Sequence, residues 1–137
     1  MKIETYASLL NRKIIIPSST QNFVEVDKHF LFICLRHLLE KIKVDEKWYI
    51  KTYPDVQAAI GSGVVSSARD HYNKYGFFEH RMPYRVQVDE KWYVGEYADV
   101  REAIAKKHFL SGQLHFDTEG FREGRIPYPN FRLETDA

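Results

Sequence analysis

The thirteen residues VDEKWYIKTYPDV that begin at Val44 return as VDEKWYVGEYADV at Val88, an offset of 44 residues in a chain of 137. Held at that offset, residues 44–87 and 88–131 align without a gap, and 19 of the 44 positions are identical. Identity on that scale points to an internal duplication of one supersecondary unit. The matched pairs are mostly large, apolar or turn-forming. They include Trp48 with Trp92, Tyr49 with Tyr93, Tyr53 with Tyr97, Asp55 with Asp99, His71 with His115, Gly76 with Gly120, Glu79 with Glu123, Arg81 with Arg125 and Pro83 with Pro127.

Each copy reads as three short helices. Asp45 and Asp89 can accept from the free N–H groups of a first turn, and Pro54 stops the first helix of copy one at the residue before it. A second helix then runs through Ile60. Gly-Ser-Gly at 61–63 ends it, whereas Ala-Lys-Lys in copy two predicts a helix longer by a turn. Ser66 or Ser67, and Ser111, can cap a third helix that ends at Gly76 or Gly120, both expected in the left-handed position past the helix end. Ala68, His71, Tyr72 and Tyr75 share one face of that helix. Trp48, Tyr49, Tyr53 and Val56 supply the surface for it to pack on, which accounts for an aromatic content of 15%.

The segment before the duplication differs. Residues 3–11 suggest a short helix, Lys13–Ile16 an extended piece, and Pro-Ser-Ser-Thr a turn. Residues 27–43 predict a helix with Leu31, Cys34, Leu35, Leu38 and Ile42 along one face. Phe30, Phe32 and Ile33 widen that stripe, so the helix is either central or packs against a second chain, and a homodimer formed through this segment is expected. The fold class is therefore all-α: an N-terminal helical cap over 1–43, copies over 44–87 and 88–131, and a flexible tail over 132–137.

The net charge of +1 comes from interspersed acids and bases, so electrostatics select no partner. The two basic clusters, AKKHF and LRHLLEKIK, form no stripe of the kind nucleic acid requires. Cys34 is the only cysteine and lies in the apolar run FLFICL, which predicts a buried thiol and a reducing, cytoplasmic setting. That run is far short of the roughly 20 residues needed to span a bilayer. Glu4, Asn11, Arg12 and Lys13 interrupt any signal-peptide core.

The pattern D-E-x-W-Y-x-x-x-Y-x-D-V, then His-Tyr, then G-x-x-E-G-R-x-P, resembles short helical repeats found in or beside bacterial glycosyltransferases and other cell-surface polysaccharide proteins. Trp48, Tyr49, Tyr53, Pro54, Asp55, Val56, His71, Tyr72, Gly76, Glu79, Arg81 and Pro83 carry it in copy one. Trp92, Tyr93, Tyr97, Asp99, Val100, His115, Gly120, Glu123, Gly124, Arg125 and Pro127 carry it in copy two. Ala98, Phe116 and His80 depart from it. His80 stands where the pattern has glycine, which argues against a left-handed backbone there.

Residues kept in both copies answer a demand of the unit itself. Trp48, Tyr49, Tyr53 and His71, with Trp92, Tyr93, Tyr97 and His115, are read as structural core. Glu79 with Arg81, and Glu123 with Arg125, are ion pairs fixing the chain's exit, and they are also the candidate binding groups for an anion or a sugar hydroxyl. Cys34, His37 and Glu40 share helical spacing but lack a second ligand pair, so no metal site is assigned. No dinucleotide, phosphate-loop or nucleophile-elbow motif occurs, and no cofactor or catalytic residue is assigned. What remains is a non-enzymatic interaction module with a protein partner, and the resemblance implies that this partner is a glycosyltransferase or another polysaccharide-synthesis component. The alternative is a carbohydrate-binding module that holds a glycan on exposed aromatics and the Glu/Arg pairs.

Overall fold

A computed structural model describes residues 5–20 and 22–134. Ile3 and Glu4 of the expected first helix, and 135–137 of the expected tail, lie outside the described residues. The chain divides into two compact units, Met1–Glu40 and Lys41–Ala137. About half of the described residues are helical, in eight α-helices and two π-helical turns, and one two-stranded sheet accompanies them.

In the first unit, Thr5 caps α1 (Tyr6–Asn11), its hydroxyl accepting from the Ser8 N–H at 3.0 Å. An antiparallel hairpin follows, β1 (Ile15–Pro17) against β2 (Val24–Val26), with Ile15 opposite Val26. β2 corrects the all-α expectation. Its three residues are too few to show an alternating pattern, and pairing with β1 supplies the backbone partners that its sequence does not announce.

Asp27 caps α2 (Lys28–Leu39), accepting from the Phe30 N–H at 2.9 Å. This helix ends four residues before the expected Lys43. Leu9, Ile14 and Phe30 form the core of this unit, with Ile15, Val26 and Cys34 packed against it. The buried side of α2 therefore runs through Phe30 and Cys34, one turn apart, while Leu31 and Leu38 of the expected stripe are exposed. Cys34 is only half-buried, not the enclosed thiol the apolar run suggested.

The second unit begins with α3 (Glu46–Thr52), α4 (Pro54–Gly61) and α5 (Ala68–His71), the last running into a π-turn at Tyr72–Gly76. Then come α6 (Glu90–Glu96), α7 (Ala98–Ala105) and α8 (Gly112–His115), which runs into a π-turn at Phe116–Gly120. Every boundary of the second set lies 44 residues after its counterpart. The caps agree as well: Asp45 accepts from the Trp48 N–H and Asp89 from the Trp92 N–H, each at 3.0 Å. Ser67 and Ser111 cap α5 and α8. The Asp45 N–H donates to the Pro83 carbonyl at 3.0 Å and the Asp89 N–H to the Pro127 carbonyl at 3.1 Å.

Met82, Tyr84, Val86, Val88, Tyr93, Val100 and Phe116 form one core cluster of this unit, with Trp48, Trp92, Phe131 and Leu133 packed on it. Complete burial of a side chain such as Phe116 contributes about 1.5–3 kcal/mol.

Three local expectations are corrected. α7 is as long as α4, because Lys107 adopts the left-handed conformation that Gly63 adopts in copy one, at φ 61 and 75°. His80 is left-handed at φ 59°, matching Gly124 at 76°, so the departure from glycine does not change the backbone path. Gly76 and Gly120 are not among the left-handed residues. Their reason is space: a Cβ at Gly76 would overlap the Tyr49 hydroxyl, and one at Gly120 the Tyr93 hydroxyl.

Candidate functional site

The shared residues assemble into one cluster per copy. In the first, Tyr49 is fully buried on α3 and its hydroxyl is hydrogen-bonded to Nδ1 of buried His71 at 3.1 Å. In the second, Tyr93 meets Nδ1 of His115 at 3.0 Å. Burial pushes the Tyr49 and Tyr93 hydroxyls well above their ordinary value. Burial, and then the Arg81 charge, push His71 below its ordinary value. Tyr49 and His71 are therefore a neutral pair near pH 7. The π-turn completes the arrangement. The Phe77 N–H donates to Tyr72 O and the Phe121 N–H to Phe116 O, each at 3.0 Å, and the widened turn places a glycine beneath the tyrosine hydroxyl.

The candidate binding arginines are held from three sides. Arg81 donates to both carboxylate oxygens of Asp55, at 2.9 and 2.8 Å, and its Nε lies 2.8 Å from Glu79. Arg125 repeats this with Asp99, at 2.8 and 2.6 Å, and with Glu123 at 2.7 Å. Each guanidinium lies over a tyrosine ring, Tyr53 or Tyr97, 4.9 Å from its centroid. The same tyrosine hydroxyls accept from the Met82 and Ile126 N–H groups, at 3.0 and 3.1 Å. Arg125 holds the Asp99 carboxyl down to about 2 and is itself raised by that bond. Asp55 is lowered by Arg81 in the same way.

Trp48 and Trp92 are half-buried on the surface of the core, edge-on to Tyr53 at 6.2 Å and to Tyr97 at 6.1 Å. The structure thus brings Trp48, Tyr49, Tyr53, His71, Glu79 and Arg81 into one connected cluster, and Trp92, Tyr93, Tyr97, His115, Glu123 and Arg125 into another. Asp55 and Asp99 are the members the sequence reading missed as partners of arginine. Their signal was present, since each lies 26 residues before its arginine in both copies.

Between the copies lies a cleft of about 390 Å³. Its floor is the first cluster, with Tyr53, Asp55, Glu79, His80 and Arg81. Its roof comes from the second π-turn and the two residues after it, with Asp117, Thr118, Phe121 and Arg122. Burial raises the Asp117 carboxyl, against the hydrogen bond from Gln113 that lowers it. Apart from Phe121, which matches Phe77, the roof residues had no signal in the duplication, because copy one has Asn73, Lys74 and Phe78 where copy two has Asp117, Thr118 and Arg122. Arg81 and His80 also border a second, apolar cleft of about 440 Å³, together with Tyr72, Phe77, Phe131 and Leu133.

Among the described residues no group of three or more His, Cys, Asp or Glu could hold a metal ion, and no helix is long and apolar enough to cross a membrane. Comparison with family models, with curated proteins and with solved structures finds no match to this chain.

Proposed function

We propose that residues 44–131 are two tandem copies of one helical repeat and that the protein is a non-enzymatic interaction module. It serves as an accessory or regulator of bacterial cell-surface polysaccharide synthesis and docks on a protein partner. One observation carries this reading: the arginines common to both copies are consumed inside their own copy, Arg81 by Asp55, Glu79 and Tyr53, and Arg125 by Asp99, Glu123 and Tyr97. They hold the unit together and leave few donors for a ligand.

Specificity then belongs to the positions where the copies differ. The loops at 61–67 and 105–111 share only their last serine, and they expose Val64 and Leu110, at 59% and 87%. Exposed apolar side chains at variable positions of a rigid scaffold suit protein recognition. The polysaccharide assignment rests on the resemblance of the duplicated pattern.

The N-terminal unit completes the proposal as the homodimer surface. Phe23, Val24, Leu31 and Leu38 are all exposed there, an apolar set that a second copy would cover.

A tagged full-length chain used to capture partners from cells making surface polysaccharide tests this function. A stable polysaccharide-synthesis protein lost on Leu110→Asp and Val64→Asp, with melting unchanged, supports it. Capture that ignores both substitutions counts against the loop assignment. Specific retention of an oligosaccharide through Arg81 or Arg125, with no protein captured, overturns it in favour of the carbohydrate-binding alternative.

A further inference from the structure

The two clusters are alike, but their surroundings are not. The first is roofed by Asp117, Thr118, Phe121 and Arg122 of the second copy, which closes the cleft of about 390 Å³. The second cluster, through Gly124 and Arg125, borders the apolar cleft instead. A volume of that size lies at the small end of the range for small-molecule sites, about 300–1,000 Å³.

Within the polar cleft Arg81, Asp55 and Glu79 are already paired. His80 lies beside them in the floor, and Asp117, Thr118 and Arg122 stand across from them. The cleft holds three acidic side chains, Asp55, Glu79 and Asp117, against two guanidiniums, Arg81 and Arg122. That balance disfavours an anion. It suits a neutral ligand dense in hydroxyls, each of which can donate to a carboxylate and accept from a guanidinium or imidazole.

His80 marks a difference between the two copies: its counterpart Gly124 takes the same left-handed conformation, φ 76 against 59°, without a side chain. The His80 imidazole lines the cleft, so the first cluster has a donor or acceptor there that the second lacks.

We propose that the cleft between the copies is a binding site for a neutral saccharide, in which Asp117 from the roof and His80 from the floor bond its hydroxyls beside Tyr53 and Arg81. The site is separate from the loops at 61–67 and 105–111, so it goes beyond the protein-docking function and stands or falls without it.

The test is saturation-transfer NMR and calorimetry on the full chain. The probes are neutral tetrasaccharides of glucose, galactose, mannose and N-acetylglucosamine, with a tetrasaccharide of glucuronic acid as the charged control. At least one neutral probe is expected to bind. Asp117→Asn, which keeps an oxygen to accept from Gln113, is expected to weaken it tenfold or more. Glu102→Gln, an exposed change on α7 outside both clusters, is expected to change it less than twofold. His80→Gly is expected to weaken it at least fivefold without lowering the melting temperature. No neutral probe bound, binding of the acidic probe alone, or neutral binding indifferent to both Asp117→Asn and His80→Gly each overturns the proposal.

Discussion

The Tyr49 hydroxyl and His71 Nδ1, 22 positions apart in the chain, are hydrogen-bonded at 3.1 Å with both residues buried. Tyr49→Phe keeps the ring and removes the hydroxyl, so a buried imidazole nitrogen loses its partner. The expected cost is about 1–3 kcal/mol in urea unfolding. Tyr93→Phe is expected to fall in the same range, because the Tyr93–His115 bond repeats the geometry at 3.0 Å.

The same pair sets a pH dependence. His71 is held below its ordinary value by burial first and the Arg81 charge second. The unfolded chain therefore takes up the proton before the folded one does. The stability this contributes is full above the unfolded value of about 6.5. It is lost as pH falls from there through the folded value. His71→Gln is expected to flatten that part of a stability profile measured from pH 7.5 to 5; an unchanged slope would show that another group carries it.

Gly76→Ala places a methyl group on the Tyr49 hydroxyl. Overpacking of this kind costs about 1–3 kcal/mol. In a Tyr49→Phe background the obstructing atom is gone, so the penalty for Gly76→Ala is expected to shrink. A double-mutant cycle by chemical denaturation measures that coupling, and strict additivity would show that the glycine is needed for some other reason.

Arg125→Lys keeps the charge but gives up the two-pronged bond to Asp99 and the flat stacking on Tyr97. Asp99 is largely exposed, so solvent limits the loss in stability to about 1 kcal/mol. The sharper readout is the Asp99 carboxyl, which carbon-13 NMR titration should find near 2 in the parent chain and closer to the ordinary carboxylate range in the variant.

Self-association rests on the exposed Phe23, Val24, Leu31 and Leu38. Sedimentation is expected to show a dimer in the micromolar range, and Leu38→Glu is expected to return it to a monomer with its helicity intact. A parent chain that sediments as a monomer at high micromolar concentration rules the dimer out.

The helices of the second unit were legible because the residues that start them occur twice in the sequence, 44 positions apart. Asp45 with Asp89 and Ser67 with Ser111 announced their helix starts through capping chemistry alone. What escaped was three-dimensional. Gly76 reads as a helix terminator in one dimension, yet the requirement comes from a tyrosine 27 positions earlier whose hydroxyl occupies the space. Asp55 reads as a helix start, yet its carboxylate serves Arg81. In the first unit α2 is apolar nearly all round, so periodicity alone could not choose its inner face. The choice was made by α1 and the hairpin, and β2 was too short to be foreseen.

The hydrogen bonds from Asp45 to Pro83 and from Asp89 to Pro127 bring the chain back, at the end of each copy, to the place where that copy began. Such a loop can be spliced: a whole block of 44 residues added at Val88 enters and leaves at nearly one point and leaves the course of its neighbours undisturbed. Growth or loss by complete blocks is therefore the change in length that this chain absorbs most easily.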